Sequence, residues 1–503
     1  MEYLIRFVQV HESFRRPELE ALSKLAGVHC EVVSCIEDSP FCVVRFHDLQ
    51  HARKDDVGSG DDIDVDERVR GFESRAILSK CVYEIWGIGC NYDELHGDVS
   101  TRSRHLWAHY KHLSFKFSVD CYGSTRDVAQ QKKIIDSFCY LGFEGKIRMK
   151  NPDVEFAVLE EWVTPCLQIN GDNANEWNGA PYDPVARTSL RRIMLVRKIG
   201  DSRRWLREKH DLKKRPYIST TSMDAELALL TANLALACPG KIFLDPFVGT
   251  GGFMVAAAEL GAVVLGSDID GRSYRGKGGG VEKGVGANFK KYGLSHLFGD
   301  CLTSDLVNTP FRASPPTQQS SDGRWLDGIV CDPPYGVREG LKVLGTRKAA
   351  STESNSVATE SPTGPPIHCI DGVPAYTLPG YIAPKKPYSF ARMLYDILAF
   401  AARTLVDGGR LAFWMPSANE NDVAEEVTVI PMHPNLELKH ECIQKFNKWS
   451  RRLLVYERRP GMLVPKIDMD GVDCAGGQVD GTADELNPFR KRYFQPIADR
   501  MGS

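Results

Sequence analysis

No stretch of this 503-residue chain reaches 18 consecutive apolar residues, which removes a membrane-spanning helix from the expected architectures. The opening MEYLIRFVQV carries Glu2 and Arg6 and lacks the grading of a secretory signal, so a cytoplasmic location is expected. CxxC pairs are absent, although fourteen cysteines are scattered along the chain. Such thiols read as reduced and often buried, not as a disulfide framework. The thirteen histidines show no ligand spacing either, and no metal is assigned to this chain. Nor does one charge dominate: 63 Lys and Arg face 66 Asp and Glu, a net charge of −3. Any sign of a nucleic-acid partner must therefore lie in how the charge is distributed.

What is present is ordinary in bulk: 42% hydrophobic and 26% charged residues, as in a soluble globular protein. The length suits roughly three domains of about 100–200 residues. Two short stretches organise the rest, KIFLDPFVGTGG at 241–252 and IVCDPPYG at 329–336. In the first, apolar Ile242–Leu244 runs into Asp245, then a turn with Gly249, Thr250 and Gly251, then the alanine-rich helical run Phe253–Leu260. Strand, glycine turn and helix is the ligand-cradling entry of a doubly wound α/β sheet. Glycines let backbone approach a ligand, and the helix N-terminus offers free N–H groups. The GxG spacing fits a ligand with an amino-acid end better than a pyrophosphate. A second strand, Val263–Gly266, finishes at Asp268, where a ribose-hydroxyl acceptor is expected, with Asp270 as the fallback. A third strand is expected to place Asp300 beside an adenine ring.

The fourth strand, Leu326–Cys331, delivers Asp332, Pro333, Pro334 and Tyr335 at its carboxyl end. An exocyclic amine on a base is a poor nucleophile, because its lone pair is delocalised into the ring. Asp332 can accept one N–H and the Pro333 carbonyl the other, while the prolines fix φ so that carbonyl needs no reorganisation. Tyr335 offers a flat face to a flipped base. DPPY resembles the amino-methyltransferase motif. Cys331, inside an apolar strand with no base beside it, reads as a buried structural thiol. Arg338 and Glu339 read equally as base-positioning groups or as a surface ion pair.

Upstream, Tyr3–Val10 alternates as a strand, and Pro17–Ala26 spaces Leu19, Leu22 and Leu25 on one helical face before Gly27. Cys30–Ile36 and Phe41–Phe46 follow as strands, and residues 55–67 carry seven acids and no base, a surface loop. Residues 74–86 space Ile77, Leu78, Cys81, Val82 and Ile85 as a helix face, with a loop at Gly87–Asp98. Ser114–Val119 reads as a strand, Asp127–Tyr140 as a helix, and Leu159–Trp162 and Ile193–Val196 as strands; Trp86 and Trp162 read as core aromatics. Residues 187–215 hold twelve Lys or Arg against three acids. This run is expected to grip a phosphate backbone through Arg203, Arg204, Lys213 and Lys214.

The runs ILSKCVYEIWGIGCNYDELH, SFKFSVDCYG and YLGFEGKIRMKNPDVEF resemble the THUMP-containing tRNA guanine-N2-methyltransferases that act at position 10. The likeness continues through KKRPYISTTSMDAELALLTANLALACPGKIFLDPFVGTGG and DPPYGVRE to Gly409–Trp414. It implies an N-terminal ferredoxin-like α+β layer, a THUMP RNA-binding domain and a Rossmann-like methyltransferase domain. It also implies S-adenosylmethionine as cofactor, tRNA as substrate and a small zinc-binding activator subunit as partner. The resulting plan gives 1–66 to the first layer with its acidic loop, 67–190 to THUMP, 191–212 to a basic linker and 213–460 to the catalytic domain. A polar insertion at 341–387 and a tail at 461–503 complete it, with Gly271–Gly286 a second flexible excursion. Two competing readings are a DNA adenine-N6 methyltransferase and a non-catalytic tRNA-binding scaffold. The N-terminal half argues against the first, and intact Asp245, Gly249, Gly251 and Asp332 argue against the second.

Overall fold

The strand expected at the start of the chain forms as β1, Glu2–Phe7. The computed structural model describes residues 1–47, 65–163, 182–183, 188–276, 283–313, 323–337, 340–344, 369–370, 372–378, 381, 384–417, 430–446, 449–460, 487 and 489. Two units divide the chain, Met1–Lys209 and His210–Ser503. Among the described residues, no helix is long and apolar enough to cross a membrane.

In the first unit, α1 (Arg15–Ala26) buries Leu19 and Leu22 and ends at Gly27, whose φ of 63° closes the last turn. Then come β2 (Cys30–Cys35), β3 (Phe41–Phe46), α2 (Val65–Glu73) and β4 (Ser79–Gly89). The four strands pair antiparallel in the order β4-β1-β3-β2. The ferredoxin-like layer assigned to 1–66 therefore extends to Gly89, because α2 and β4 complete it. Asp66 and Glu67 belong to the first turn of α2; residues 48–64, with most of the acidic loop, lie outside the described residues.

The helix expected at 74–86 is a strand. Its supposed apolar face is buried, but so are Tyr83, Glu84 and Trp86 on the other side. β4 is an interior strand with both faces covered, so its near-continuous apolar run matched a helical period by coincidence. The two carboxylate oxygens of Glu18 also take the amides of Ile77 and Leu78 (2.8 and 3.0 Å), fixing the chain just before it. The loop expected at Gly87–Asp98 holds instead α3 (Tyr92–Arg102), started by Asn91, whose side chain accepts the Glu94 amide.

After α4 (Trp107–Tyr110) come β5 (Phe115–Tyr122), α5 (Val128–Asp136) and β6 (Val154–Val163). The two-residue β7 (Tyr182–Asp183) pairs with β8 (Thr188–Asp201). β8 lies between β4 and β6, giving the sheet order β2-β3-β1-β4-β8-β6-β5. The first half of the segment read as a basic linker at 191–212, up to Asp201, is thus part of an interior strand. Its arginines are absorbed by acids: Arg191 pairs with buried Glu161 at 2.9 Å, and Arg197 with buried Glu84 and part-buried Asp66, both at 2.7 Å. Trp86 and Trp162 sit in the core with Phe156 and Leu195. The unit closes on α6 (Leu206–Lys209).

The second unit runs α7 (Ala225–Leu234), β9 (Ile242–Asp245), α8 (Gly252–Glu259) and β10 (Val263–Asp268). It continues through α9 (Gly271–Arg275), α10 (Val285–Tyr292), β11 (Phe298–Thr303) and β12 (Leu326–Cys331). The excursion at Gly271–Gly286 is therefore helical at both ends, with 277–282 outside the described residues. The insertion is anchored by β13 (Lys342–Leu344) antiparallel to β16 (Lys385–Pro387), with β14 (Cys369–Ile370) against β15 (Val373–Pro374). Its remaining polar stretch lies largely outside the described residues. The amphipathic α11 (Phe390–Thr404), β17 (Leu405–Ser417), β18 (Leu436–Lys445) and β19 (Ser450–Arg458) follow. The sheet order is β11-β10-β9-β12-β17-β19-β18. Its first five strands are parallel, and β19 is antiparallel between β17 and β18.

Candidate active site

The sheet puts three aspartates at the carboxyl ends of three neighbouring strands. Asp245 ends β9; Gly266 of β10 is its register partner, and Ile329 of β12 pairs with Leu244. Asp268 and Asp332 therefore fall just beyond the level of Asp245, one on each side. This is the edge where open α/β sheets bind ligands.

The glycine turn is held by its own acids. Asp245 accepts the Phe247 amide at 3.0 Å, and Asp268 accepts the Gly249 amide at 3.1 Å. Gly251 has φ 76°, and a Cβ there would stand 2.6 Å from Cγ1 of Val285, so only glycine fits. Three further residues brace the turn and were not foreseen. The Asn288 amide donates to the carbonyls of Thr250 (3.1 Å) and Tyr217 (2.9 Å), and Ser222 Oγ bonds Thr250 Oγ1 at 2.8 Å. Tyr217 and Ser222 belong to the KKRPYISTTSMD run, whose polar residues just before a helix were the available signal.

Burial pushes the Asp245 carboxyl well above its ordinary range, against the Phe247 hydrogen bond, and Asp268 and Asp332 add to the rise. Burial raises Asp268 as well. Asp270 differs: its hydrogen bonds to Arg272 hold it down at about 2, and it caps α9. Asp268 is therefore the acid that touches the turn, and Asp270 is committed to an ion pair. Carboxylates crowded at one edge, two of them pressed toward neutrality, suit a cationic ligand.

Asp300 does not join them. It sits where the β10–β11 register shifts, at φ 100°, and its exposed side chain accepts the amide of its own neighbour Cys301 (2.7 Å). Thr303 is the residue opposite Asp268, and buried Asp305 follows just past the strand end. The Asp305 carboxylate takes the amides of Val307, Asn308 and Leu344 at 2.6, 2.9 and 2.8 Å. The register shift at Asp300 thus leaves Thr303, not Asp300, level with Asp268.

At the end of β12, the Tyr335 hydroxyl donates to Asp332 Oδ1. Burial, and then the Asp332 charge, push the Tyr335 phenol well up. Its ring meets Trp449 edge-on at 6.1 Å, and Trp449 stacks on Phe446 at 4.7 Å. Arg451 lies over the rings of Trp414 (4.8 Å) and Phe446 (5.5 Å). Burial lifts the Cys331 thiol well above its usual range, which suits an inert core sulfur. Arg338 and Glu339 lie outside the described residues.

The four basic residues singled out together fall in two units: Arg203 and Arg204 in the first, Lys213 and Lys214 in the second. Arg204 donates to the Ile77 carbonyl at 2.8 Å, a structural use of its guanidinium. Lys213 and Lys214 are exposed.

A family model described as the Tmrp11 THUMP N-terminal domain matches residues 1–55 and 62–175. Similarity to curated proteins extends over nearly the whole chain. The tRNA (guanine(10)-N(2))-methyltransferase of Saccharomyces cerevisiae is 40% identical over 497 residues, covering 98% of this chain and 99% of its own. That of Schizosaccharomyces pombe is 34% identical, covering 98% and 96%. The Homo sapiens protein, tRNA (guanine(10)-N(2))-methyltransferase TRMT11, is 31% identical, covering 99% and 96%. With identity at this level from end to end, and with the sheet order and DPPY edge already described, the chain belongs to the tRNA (guanine(10)-N(2))-methyltransferase family.

Proposed function

We propose that this chain transfers a methyl group from S-adenosylmethionine to the N2 amine of guanine at position 10 of a tRNA. The observation that carries the reading is the placement of Asp332-Pro333-Pro334-Tyr335 beside the Asp245–Gly251 turn, in a chain similar throughout to relatives named for that reaction.

The turn fits the cofactor. A Cβ at Gly249 would meet nothing nearer than 3.9 Å, so the backbone there is open to a ligand, and the acids around the turn suit a sulfonium ion. Asp245, Gly249, Thr250, Gly251 and Asp268 would hold the cofactor, with Asp268 on the ribose side. The adenine side falls to the segment at Ser304–Asp305 rather than to Asp300. When bound, the cofactor supplies an already activated methyl group. The protein's task is then alignment. Asp332 accepts one N–H of the guanine amine, the Pro333 carbonyl accepts the other, and their geometry is held by two fixed φ angles. The Tyr335 hydroxyl on Asp332 Oδ1 orients the carboxylate, and Asp332 receives the proton once the new bond has formed. The N2 amine of a paired guanine faces the shallow minor groove, so the base must leave the stack to enter.

The N-terminal unit, with its THUMP match, would hold the tRNA and set the distance to the target nucleotide. Arg203, Lys213 and Lys214 are assigned to phosphate contacts. By family resemblance the partner is a small zinc-binding activator subunit, and the expected location is the cytoplasm. Incubating the purified chain, with and without that subunit, with unmodified tRNA and labelled cofactor tests the reading. Label at N2 of guanine 10 is the expected result; label on another base, on DNA, or nowhere overturns it.

A further inference from the structure

We infer that Asn487 and Phe489 complete the catalytic loop as positioning residues for Tyr335 and Asp332. The inference rests on the methyl-transfer reading. Both side chains lie beyond the last strand of the sheet, yet they are 1% and 5% exposed. Asn487 Nδ2 donates to the backbone carbonyl of Tyr335 at 2.8 Å. Gly336, at φ 77°, lies against the same amide: a Cβ there would stand 2.4 Å from Asn487 Nδ2. The missing side chain of Gly336 is thus what lets Asn487 in. Phe489 packs its ring 5.8 Å from that of Trp449, which in turn meets the Tyr335 ring.

Tyr335 is thus held at its carbonyl directly by Asn487 and at its ring through Trp449, which Phe489 backs. Between Asp332 and Tyr335 the prolines leave few soft torsions, so the freedom of the loop is concentrated at Tyr335–Gly336. Asn487 bonds at that joint. Its effect passes through Tyr335, whose hydroxyl donates to Asp332 Oδ1. A loosened joint would move the carboxylate that must meet the amine, and misplacement on the scale of an ångström is costly in an alignment-limited reaction.

Asn487→Asp tests this in the full-length enzyme with its partner subunit. It keeps the shape, removes the donor, and sets a carboxylate oxygen against the Tyr335 carbonyl. The expected result is a single-turnover methylation rate reduced by about tenfold or more, with S-adenosylhomocysteine and tRNA dissociation constants within about twofold. Amide exchange in a peptide covering 329–337 should also quicken. Phe489→Ala should behave likewise and Phe489→Tyr should stay near wild type. If Asn487→Asp fails to fold, the two Phe489 variants carry the same comparison. A filler role predicts that Asn487→Asp and Phe489→Ala keep the wild-type rate and loop exchange, and that result overturns the inference. Wild-type protein that fails to methylate tRNA would instead sink the functional reading, and loop exchange would still decide the inference.

Discussion

The chemistry is concentrated in single side chains, so the sharpest predictions concern them. Asp332→Ala should cut the single-turnover rate by a hundredfold or more, in line with about 3–4 kcal/mol for a preorganised transition-state group. Cofactor and tRNA affinities should hold, because Asp332 acts on the amine and anchors neither ligand. Loss of less than about tenfold in rate would remove it from the reaction. Asp245 makes the opposite kind of statement. Its carboxyl is fully buried and its pKa is raised, so the native state prefers it protonated. Its contribution to stability is therefore present at low pH and is lost as pH rises through the carboxylate range toward the raised native value. Asp245→Asn keeps an oxygen for the Phe247 amide and has no charge to bury. Without cofactor, the melting temperature of the variant should gain on wild type between pH 4 and 8, by about 2–4 °C for each kcal/mol relieved. A difference independent of pH would show that Asp245 is already ionised at no cost.

At the level of elements, the catalytic half was the more legible. Its strands are bracketed by unambiguous punctuation: Asp245 into a glycine turn, Cys331 into Asp-Pro-Pro. The N-terminal half was misread where a strand is covered on both faces, since β4 offers no alternation and its apolar run serves a helix equally well. The apolar core of β8, Ile193–Val196, reads correctly as a strand, but its flanking arginines look solvated in sequence and meet Glu161 and Glu84 across the sheet, a pairing only the fold creates. The register shift at Asp300 was not legible, because nothing in the local sequence marks a bulge. Asn487 was out of reach, because nothing local ties a distant tail to Tyr335. The entry to β4 carries a prediction of its own. Glu73 is fully buried, bonded to the Ser79 hydroxyl, and raised by burial to about 8. It binds its proton more tightly folded than unfolded, so the first unit should lose stability as pH climbs from about 5 through about 8, and Glu73→Gln should flatten that fall. Unfolding midpoints at several pH values check this; parallel curves for variant and wild type would mean Glu73 is ionised in the native state.

For the molecule as a whole, the question is which positive charges serve the RNA and which serve the fold. Arg192 lies half-buried against Glu161, whose side chain has no exposed surface. Arg192→Ala leaves the buried Glu161 carboxylate with Arg191 as its remaining cation, so the cost should fall below the roughly 3–5 kcal/mol of a fully broken buried pair. Its signature should be a lower melting temperature with an unchanged salt dependence of tRNA binding in whatever protein stays folded. Arg203, Lys213 and Lys214 should show the reverse. Each phosphate contact releases counterion and adds about 0.7–0.9 to the slope of log affinity against log salt. Changing all three to Ala should therefore flatten the slope by about two units, weaken binding most at low salt, and leave cofactor affinity alone. Arg204 is left in place because it holds the Ile77 carbonyl, and its loss would blur a folding effect with a binding one. Filter-binding titrations at four or more salt concentrations separate the two groups. A triple variant with the wild-type slope would mean that these charges do not touch phosphate, and that the tRNA is gripped elsewhere.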